Sequence, residues 1–335
     1  MRSYHVDEGA GIDGLTIRRH EVPVPGPGQV LVAVRAVSLS YRELLVLRGT
    51  YVLPVKPDVV PVSDGAGEII AVGPGVRSAR IGDRVAATLF PSWQDGPFGA
   101  EHLPQRGGSL DGMLTEFVVL GEDEFVPVPD HLSFEEAATL PCVAVTAWNA
   151  LTGDGIGLRA GQTVVVQGSG GVSLFALQFA KALGARVIAT TSSPAKAARL
   201  AEFGADEVID YRATPDWASE VRDLTGGRGA DRVVDVTGFL EQSLRAVATA
   251  GHVACVGFVS DNAPPLIDAR VLFASGATVR AVAVGSRAQF LAMNRVIEAN
   301  GIRPVIDRVF AFDDAPDAYR HYASGAALGK VVVTL

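Results

Sequence analysis

The stretch Thr163-Val164-Val165-Val166-Gln167-Gly168-Ser169-Gly170-Gly171-Val172-Ser173 decides the fold. Its three consecutive valines read as a buried strand and run straight into a glycine-dense turn. After the turn, Val172, Phe175, Ala176, Phe179, Ala180 and Leu183 recur on one face of a helix, and Gly184 is placed to cap it. Strand, glycine turn and helix in this order lay a pyrophosphate on backbone N–H groups at a helix N-terminus. Gly168, Ser169, Gly170, Gly171 and Val172 are therefore expected to hold a dinucleotide. The third glycine of the usual fingerprint is Ser173 here, at a position that serves helix–strand packing, where a small side chain is tolerated.

The next strand, Arg186 to Thr191, indicates which dinucleotide. An NAD enzyme places an acidic residue at its end, about 20 residues past the first glycine, to bind the ribose hydroxyls. This chain instead has Thr190, Thr191, Ser192 and Ser193, followed by Lys196 and Arg199. Hydroxyls and cations without a carboxylate suit a 2′-phosphate, so NADPH is expected in preference to NADH, with Thr191, Ser192 and Lys196 at the phosphate. The competing reading of the same residues is a helix start at Ser193-Pro194 with a solvated basic face.

A chain of 335 residues with 48% hydrophobic and 20% charged residues is long enough for two domains with a sizeable core. Its net charge of −8 and lack of a basic block argue against a nucleic-acid partner. No apolar stretch has transmembrane length and no signal-peptide pattern is present, so no membrane association is expected. Two cysteines, Cys142 and Cys255, are too few for a disulfide framework, and a cytoplasmic setting is expected.

Residues 1–123 read as β-rich. Alternation over Val30 to Arg35 follows the turn Pro25-Gly26-Pro27-Gly28, a second strand covers 67–72, and Ile81-Gly82-Asp83-Arg84-Val85 turns into a third. Residues 91–112 read as an exposed polar lobe. From 124 to 286 the texture alternates between strands and helices, with strands expected at 163–167, 186–191, 207–210, 231–236, 252–257 and 278–284 and helices at 194–203 and 240–249. Six such strands predict a doubly wound parallel sheet. Residues 287–335 hold a helix over 289–299 and strands over 305–310 and 330–333, and are assigned to the first domain.

The landmarks Pro25-Gly26-Pro27-Gly28-Gln29-Val30, Gly65-Ala66-Gly67-Glu68, Gly82-Asp83-Arg84-Val85, Thr146-Ala147-Trp148, Gly168-Ser169-Gly170-Gly171 and Gly329-Lys330-Val331-Val332 occur in an order that resembles the medium-chain dehydrogenase/reductase superfamily across essentially the whole chain. That resemblance implies an α/β protein with a GroES-like β-rich catalytic domain, a Rossmann domain, a nicotinamide cofactor and hydride transfer. Alcohol dehydrogenases of the superfamily hold a catalytic zinc with a cysteine, a histidine and a second cysteine. Those positions fall here on Ser40, Ser63 and Cys142, and one thiolate beside Asp64 does not complete a three-ligand site. The four closely spaced cysteines of the structural zinc are missing from residues 86–120. The expectation is a metal-free protein similar to the zinc-independent quinone oxidoreductase-like and enoyl reductase-like branch.

In that branch a tyrosine faces the nicotinamide, and Tyr51 matches it, with Tyr41 and Ser40 as further catalytic candidates. Further cofactor contacts are expected from Thr146, Tyr211, Thr237, Gly257, Phe258, Gly285, Ser286, Arg287 and Lys330. The expected reaction is hydride delivery from NADPH to a quinone or an α,β-unsaturated carbonyl, with a hydroxyl or backbone N–H stabilising the developing oxyanion. An alcohol dehydrogenase acting on alcohols or aldehydes, and a cofactor-binding protein with little turnover, are the alternatives. The apolar run Thr278 to Val284 is last in the Rossmann order and is expected to join a second copy in a homodimer, with Arg280 at or near the interface.

Overall fold

Val164, Val165 and Val166 are fully buried, which is what a strand covered on both faces by helices requires. A computed structural model describes residues 1–153, 155–257 and 267–335. It divides into two compact units, Met1–Val145 with Gly285–Leu335, and Thr146–Val284.

In the second unit, Thr163–Gln167 lies inside a six-stranded parallel sheet. The spatial order is Glu207–Asp210, Arg186–Thr191, Thr163–Gln167, Ala230–Asp235, Val247–Cys255 and Thr278–Ala281. The direction of winding reverses beside Thr163–Gln167, and in such sheets the crevice at that point takes the ligand. The helix Gly171–Ala182 packs by Phe175 and Phe179, whose rings stack 5.7 Å apart, and Gly184 follows it in a left-handed conformation (φ 78°). The helix expected over 240–249 stops at Ala246, and the strand expected from 252 begins at Val247. Val247 already faces Ala230 in the parallel sheet, and the backbone there is close enough that a side chain at Gly229 would strike the carbonyl of Ala246 at 2.7 Å. The last strand stops at Ala281, three residues short of the expected end.

The first unit holds a seven-stranded sheet built on the long strand Gln29–Leu39, which pairs with Asp64–Val72, Phe117–Gly121 and Lys330–Thr334. Residues 124–145 belong to this unit rather than to the alternating βα region, because Phe125–Pro127 pairs with Arg84–Ala87. The lobe over 91–112 is less open than its composition indicates. It encloses an aromatic cluster in which Trp93 and Phe98 lie 4.9 Å apart and Phe90 and Phe98 lie 5.0 Å apart. The register of the sheet matters most for function. Ser38 faces Asp64 on one side, and Leu39 faces Val331 on the other. Ser40, Asp64 and Lys330 therefore arrive together at the same end of three adjacent strands.

Candidate functional site

At that end the chain leaves the strand at Leu39 and enters the helix Tyr41–Arg48, with Ser40 as its N-cap residue. The Ser40 hydroxyl does not cap the helix. It donates to Asp64 Oδ2 at 3.0 Å and accepts from Lys330 Nζ at 2.8 Å. The same ammonium donates to the Leu39 carbonyl at 2.6 Å and lies 3.5 Å from Asp64 Oδ2. Lys330 is 1% exposed and Asp64 0%, so this ion pair is removed from water and survives because its hydrogen-bonding groups are answered. Burial pushes the Asp64 carboxyl above its usual range, while Lys330 and the Ser63 hydroxyl pull it back. Burial, with the Asp64 charge nearby, pushes the Cys142 thiol up to about 12, which makes it a poor nucleophile and a poor thiolate ligand.

The cluster continues into the helix. Ser63 Oγ reaches Asp64 Oδ1 at 2.7 Å and Glu43 Oε1 at 3.2 Å, and the backbone N–H groups of Val62 and Ser63 also donate to Glu43. Arg42 donates to Glu43 Oε1 at 2.8 Å, to the Gly107 carbonyl at 3.1 Å and, through Nε, to the Tyr51 hydroxyl at 3.2 Å. Two cations and two carboxylates, Lys330, Arg42, Asp64 and Glu43, thus form one buried network with no net charge. Arg42 and Glu43 were not singled out from sequence. The available signal was a pair of opposite charges at the head of the apolar run Leu44-Leu45-Val46-Leu47.

Among the three catalytic candidates, Ser40 is a buried member of this network, and its hydroxyl donates to Asp64. Tyr51 and Tyr41 are both half-buried. Tyr51 carries the Arg42 guanidinium 4.7 Å above its ring, and the Tyr41 hydroxyl accepts from Arg48 at 3.5 Å.

In the second unit the glycine turn has the form a ligand needs. Gly168 has φ 75°, a conformation that favours glycine, and a Cβ added at Gly168 or Gly170 would meet no atom within 4 Å. Gly170 (φ −76°) is thus a glycine that neither its backbone angle nor the surrounding protein demands. No side chain caps the helix that Gly171, Val172 and Ser173 begin. The Ser173 hydroxyl donates to the Gln167 carbonyl at 2.6 Å and ties helix to strand. These features fit a bound pyrophosphate approaching the backbone.

The sheet brings Thr191, Ser192, Lys196 and Tyr211 to the same edge of the turn, since Gly168 N–H donates to Thr190 O and Tyr211 N–H to Thr191 O. Thr191 is buried, Ser192 and Lys196 are half-buried, and Tyr211 is exposed. The Thr237 hydroxyl is engaged with Gln167 Oε1 at 3.1 Å and Asp235 Oδ1 at 3.2 Å. Asp235, missed from sequence, also accepts from the N–H groups of Thr237 and Gly238 and from Ser243 Oγ, and so shapes the loop after its strand. Gly257 lies against that loop, where a Cβ would meet the Val236 carbonyl at 2.7 Å. Thr146 is buried, and Phe258 lies outside the described residues.

The remaining cofactor candidates sit in the first unit with other tasks. Gly285 packs so closely that a Cβ would strike Val145 at 2.6 Å. Ser286 forms a capping box with Gln289 at the start of the helix Arg287–Asn300, and Arg287 Nε donates to the Phe125 carbonyl at 2.9 Å. The Lys330 ammonium is engaged inside the buried network, where it donates to Leu39 O and Ser40 Oγ.

Residues 26–130 match the model of the alcohol dehydrogenase GroES-like domain, and residues 171–299 match that of the zinc-binding dehydrogenases. A zinc-type alcohol dehydrogenase-like protein of Schizosaccharomyces pombe is 42% identical, over 98% of this chain and 97% of its own. The chain belongs to the medium-chain dehydrogenase/reductase superfamily. A quinone oxidoreductase of Pseudomonas aeruginosa is 33% identical over 96% of each chain. The structure of a putative alcohol dehydrogenase from Sinorhizobium meliloti superposes with a TM-score of 0.91 at 38% identity, covering 100% of this chain and 99% of its own. A mycobacterial protein solved in complex with NADPH gives a TM-score of 0.83 at 28% identity, with full coverage of both chains. The chain is accordingly an oxidoreductase of this superfamily that binds a nicotinamide dinucleotide.

The superfamily's catalytic zinc does not suit these residues. Two of the ligand positions are serines, the thiol is held protonated, and an ammonium lies 2.8 Å from the first serine oxygen. A dication placed there would have to displace Lys330 or stand against its charge.

Proposed function

We propose that the chain is an NADPH-dependent reductase that delivers hydride to a quinone or an α,β-unsaturated carbonyl without a metal. The observation that carries this reading is the Lys330 ammonium bonded to Ser40 and paired with Asp64, at the positions where related dehydrogenases hold their metal. In this reading Gly168, Ser169, Gly170, Gly171 and Val172 bind the pyrophosphate, and Thr191, Ser192 and Lys196 bind the 2′-phosphate. Tyr211 stands beside the adenosine, and Thr237 and Gly257 belong to the nicotinamide end. Bound NADPH supplies the hydride. The protein supplies a donor for the oxygen that gains charge, and a preorganised hydroxyl such as that of Tyr51 serves this role at no cost of reorganisation. An electron-poor carbon conjugated to a carbonyl needs less polarisation than an alcohol or aldehyde, which fits a site whose fixed charges cancel.

The test is the oxidation of NADPH followed with quinones, enals, saturated aldehydes and alcohols, together with elemental analysis. Turnover of quinones or enals that chelators do not change, in protein free of stoichiometric zinc, is the expected result. Stoichiometric zinc together with alcohol oxidation would instead establish a conventional alcohol dehydrogenase. Tight NADPH binding with no acceptor turned over would establish a binding protein.

A further inference from the structure

Tyr51 and Arg42 are joined in a way that assigns the tyrosine's proton. Arg42 is buried, and each of its three guanidinium nitrogens has a partner: Nε donates to Tyr51 Oη at 3.2 Å, one terminal nitrogen to Glu43 Oε1 at 2.8 Å, and the other to Gly107 O at 3.1 Å. A guanidinium has only donors, so Tyr51 Oη is the acceptor in this pair. One lone pair of the phenol oxygen is therefore occupied from the protein side. Among the described residues, nothing accepts the Tyr51 proton. The guanidinium carbon also lies 4.7 Å from the centre of the tyrosine ring, which holds the ring against a positive charge. Arg42 has little freedom of its own. Glu43 fixes it, and the backbone N–H groups of Val62 and Ser63 with the Ser63 hydroxyl fix Glu43. Burial works against the charge on Arg42, but Glu43 and Tyr51 outweigh it and hold the guanidinium protonated.

We propose that Arg42 is a positioning residue for the reduction: it accounts for one lone pair of Tyr51 Oη, leaves the Tyr51 O–H as the one donor presented to substrate, and stabilises the tyrosinate left behind. The proposal rests on the reductase reading above. The step balances as follows. As the β-carbon of an enone takes up hydride, its electron pair moves the C=C electrons towards the carbonyl oxygen. The Tyr51 O–H bond breaks, an O–H bond forms on the resulting enolate oxygen, and Tyr51 is left as an anion facing Arg42. Water returns the proton to Tyr51, and the enol becomes the saturated ketone by exchange with solvent. For a quinone the same donation yields one hydroxyl of the hydroquinone directly.

The experiment compares kcat, KM and the NADPH dissociation constant of the wild type, Tyr51→Phe, Arg42→Met, Arg42→Lys and the Arg42→Met/Tyr51→Phe double variant. Loss of the donor should lower kcat about 10²–10³-fold in Tyr51→Phe. Arg42→Met should lower kcat by at least about tenfold, should leave NADPH affinity within about twofold, and should add nothing in the Tyr51→Phe background, because residues that act as a unit are non-additive. Arg42→Lys keeps a cation beside Glu43 without the Nε donor and should recover only part of the loss. Should Arg42→Met fail to fold with Glu43 left unpaired, Arg42→Met/Glu43→Gln replaces it and removes both charges of that ion pair together. Full turnover in folded Arg42→Met, or a loss that multiplies with that of Tyr51→Phe, overturns the positioning role alone. Normal turnover in Tyr51→Phe overturns the donor itself and this proposal with it, while leaving NADPH-dependent reduction intact. Absence of any NADPH oxidation by the wild type overturns the reductase reading instead.

Discussion

An ammonium taken out of water costs several kcal/mol unless good partners replace the lost hydration, and Lys330 meets that cost with Leu39 O, Ser40 Oγ and Asp64. Removing it strands a buried carboxylate. Lys330→Met should therefore lower the unfolding free energy by about 3–5 kcal/mol in a denaturant titration, and Lys330→Met/Asp64→Asn should recover much of that loss. A single-variant loss below about 1 kcal/mol would mean that the pair is solvated. From the sequence this lysine, in Gly329-Lys330-Val331-Val332, is expected either to reach the cofactor or to cap the last strand, and which of the two cannot be read while the partner strand is unknown. Lys196 belongs to the opposite case, since its place near the end of the second Rossmann strand follows from spacing along the chain. If it meets the 2′-phosphate, Lys196→Ala should weaken NADPH by about 1.5–3 kcal/mol and NADH far less, as read by fluorescence titration. Equal weakening of both cofactors would make it a surface charge.

At the scale of elements, the turn after Thr163–Gln167 separates stability from binding. Gly170 has an ordinary φ of −76° and open space beyond its Cα. Gly170→Ala should therefore leave thermal unfolding of the free protein within about 0.5 kcal/mol, while the added methyl group blocks the approach of a pyrophosphate and weakens NADPH at least about tenfold. Unchanged NADPH affinity would move the cofactor away from this turn. Asp206 makes a prediction about acid stability. Burial works to raise its pKa, but Lys181 Nζ at 2.8 Å and the Val187 N–H at 2.7 Å hold it below the ordinary carboxylate range. A carboxyl held low in the fold stabilises above its unfolded value of about 3.9, and that stabilisation is lost as the pH falls through the lower folded value. Asp206→Asn should flatten the acid limb of a stability–pH curve, and an unchanged limb would contradict the assignment. The strands 163–167, 186–191 and 207–210 were legible to the residue, because buried parallel strands are short apolar runs closed by glycine or polar residues. The change from helix to strand at Val247 was not legible, because Val247 pairs with Ala230, a long-range partner that the local pattern does not show.

At the scale of the whole molecule, the strand Thr278–Ala281 is the outer strand of the Rossmann sheet, and Phe273 on the preceding helix is 89% exposed. Among the described residues no strand pairs with its outer side, and an unpaired edge favours pairing with a second copy about a two-fold axis. Sedimentation at micromolar concentration should show a homodimer, and Phe273→Glu should shift it to monomer. Val282→Pro removes the N–H that donates to Cys255 O at 2.9 Å, and should give monomer or insoluble protein. A wild-type monomer would end this proposal. Arg280 is less free for a partner than its position indicates, since its guanidinium donates to both the Asn149 side chain and its carbonyl. The α/β class, the Rossmann and GroES-like regions and the unsuitability of Ser40 and Ser63 as metal ligands could all be read from the chain alone. The α/β class and the Rossmann sheet depend on local period and short spacing, whereas the GroES-like domain and the ligand positions of Ser40 and Ser63 are what the resemblance to the superfamily implies; neither kind of signal needs a partner strand. The fate of Lys330, the joining of Arg42 to Tyr51 and the withdrawal of the Ser40 proton by Asp64 were decided only in three dimensions. They follow from which strands lie side by side and in what register, a long-range pairing that leaves no mark in the local pattern of either segment.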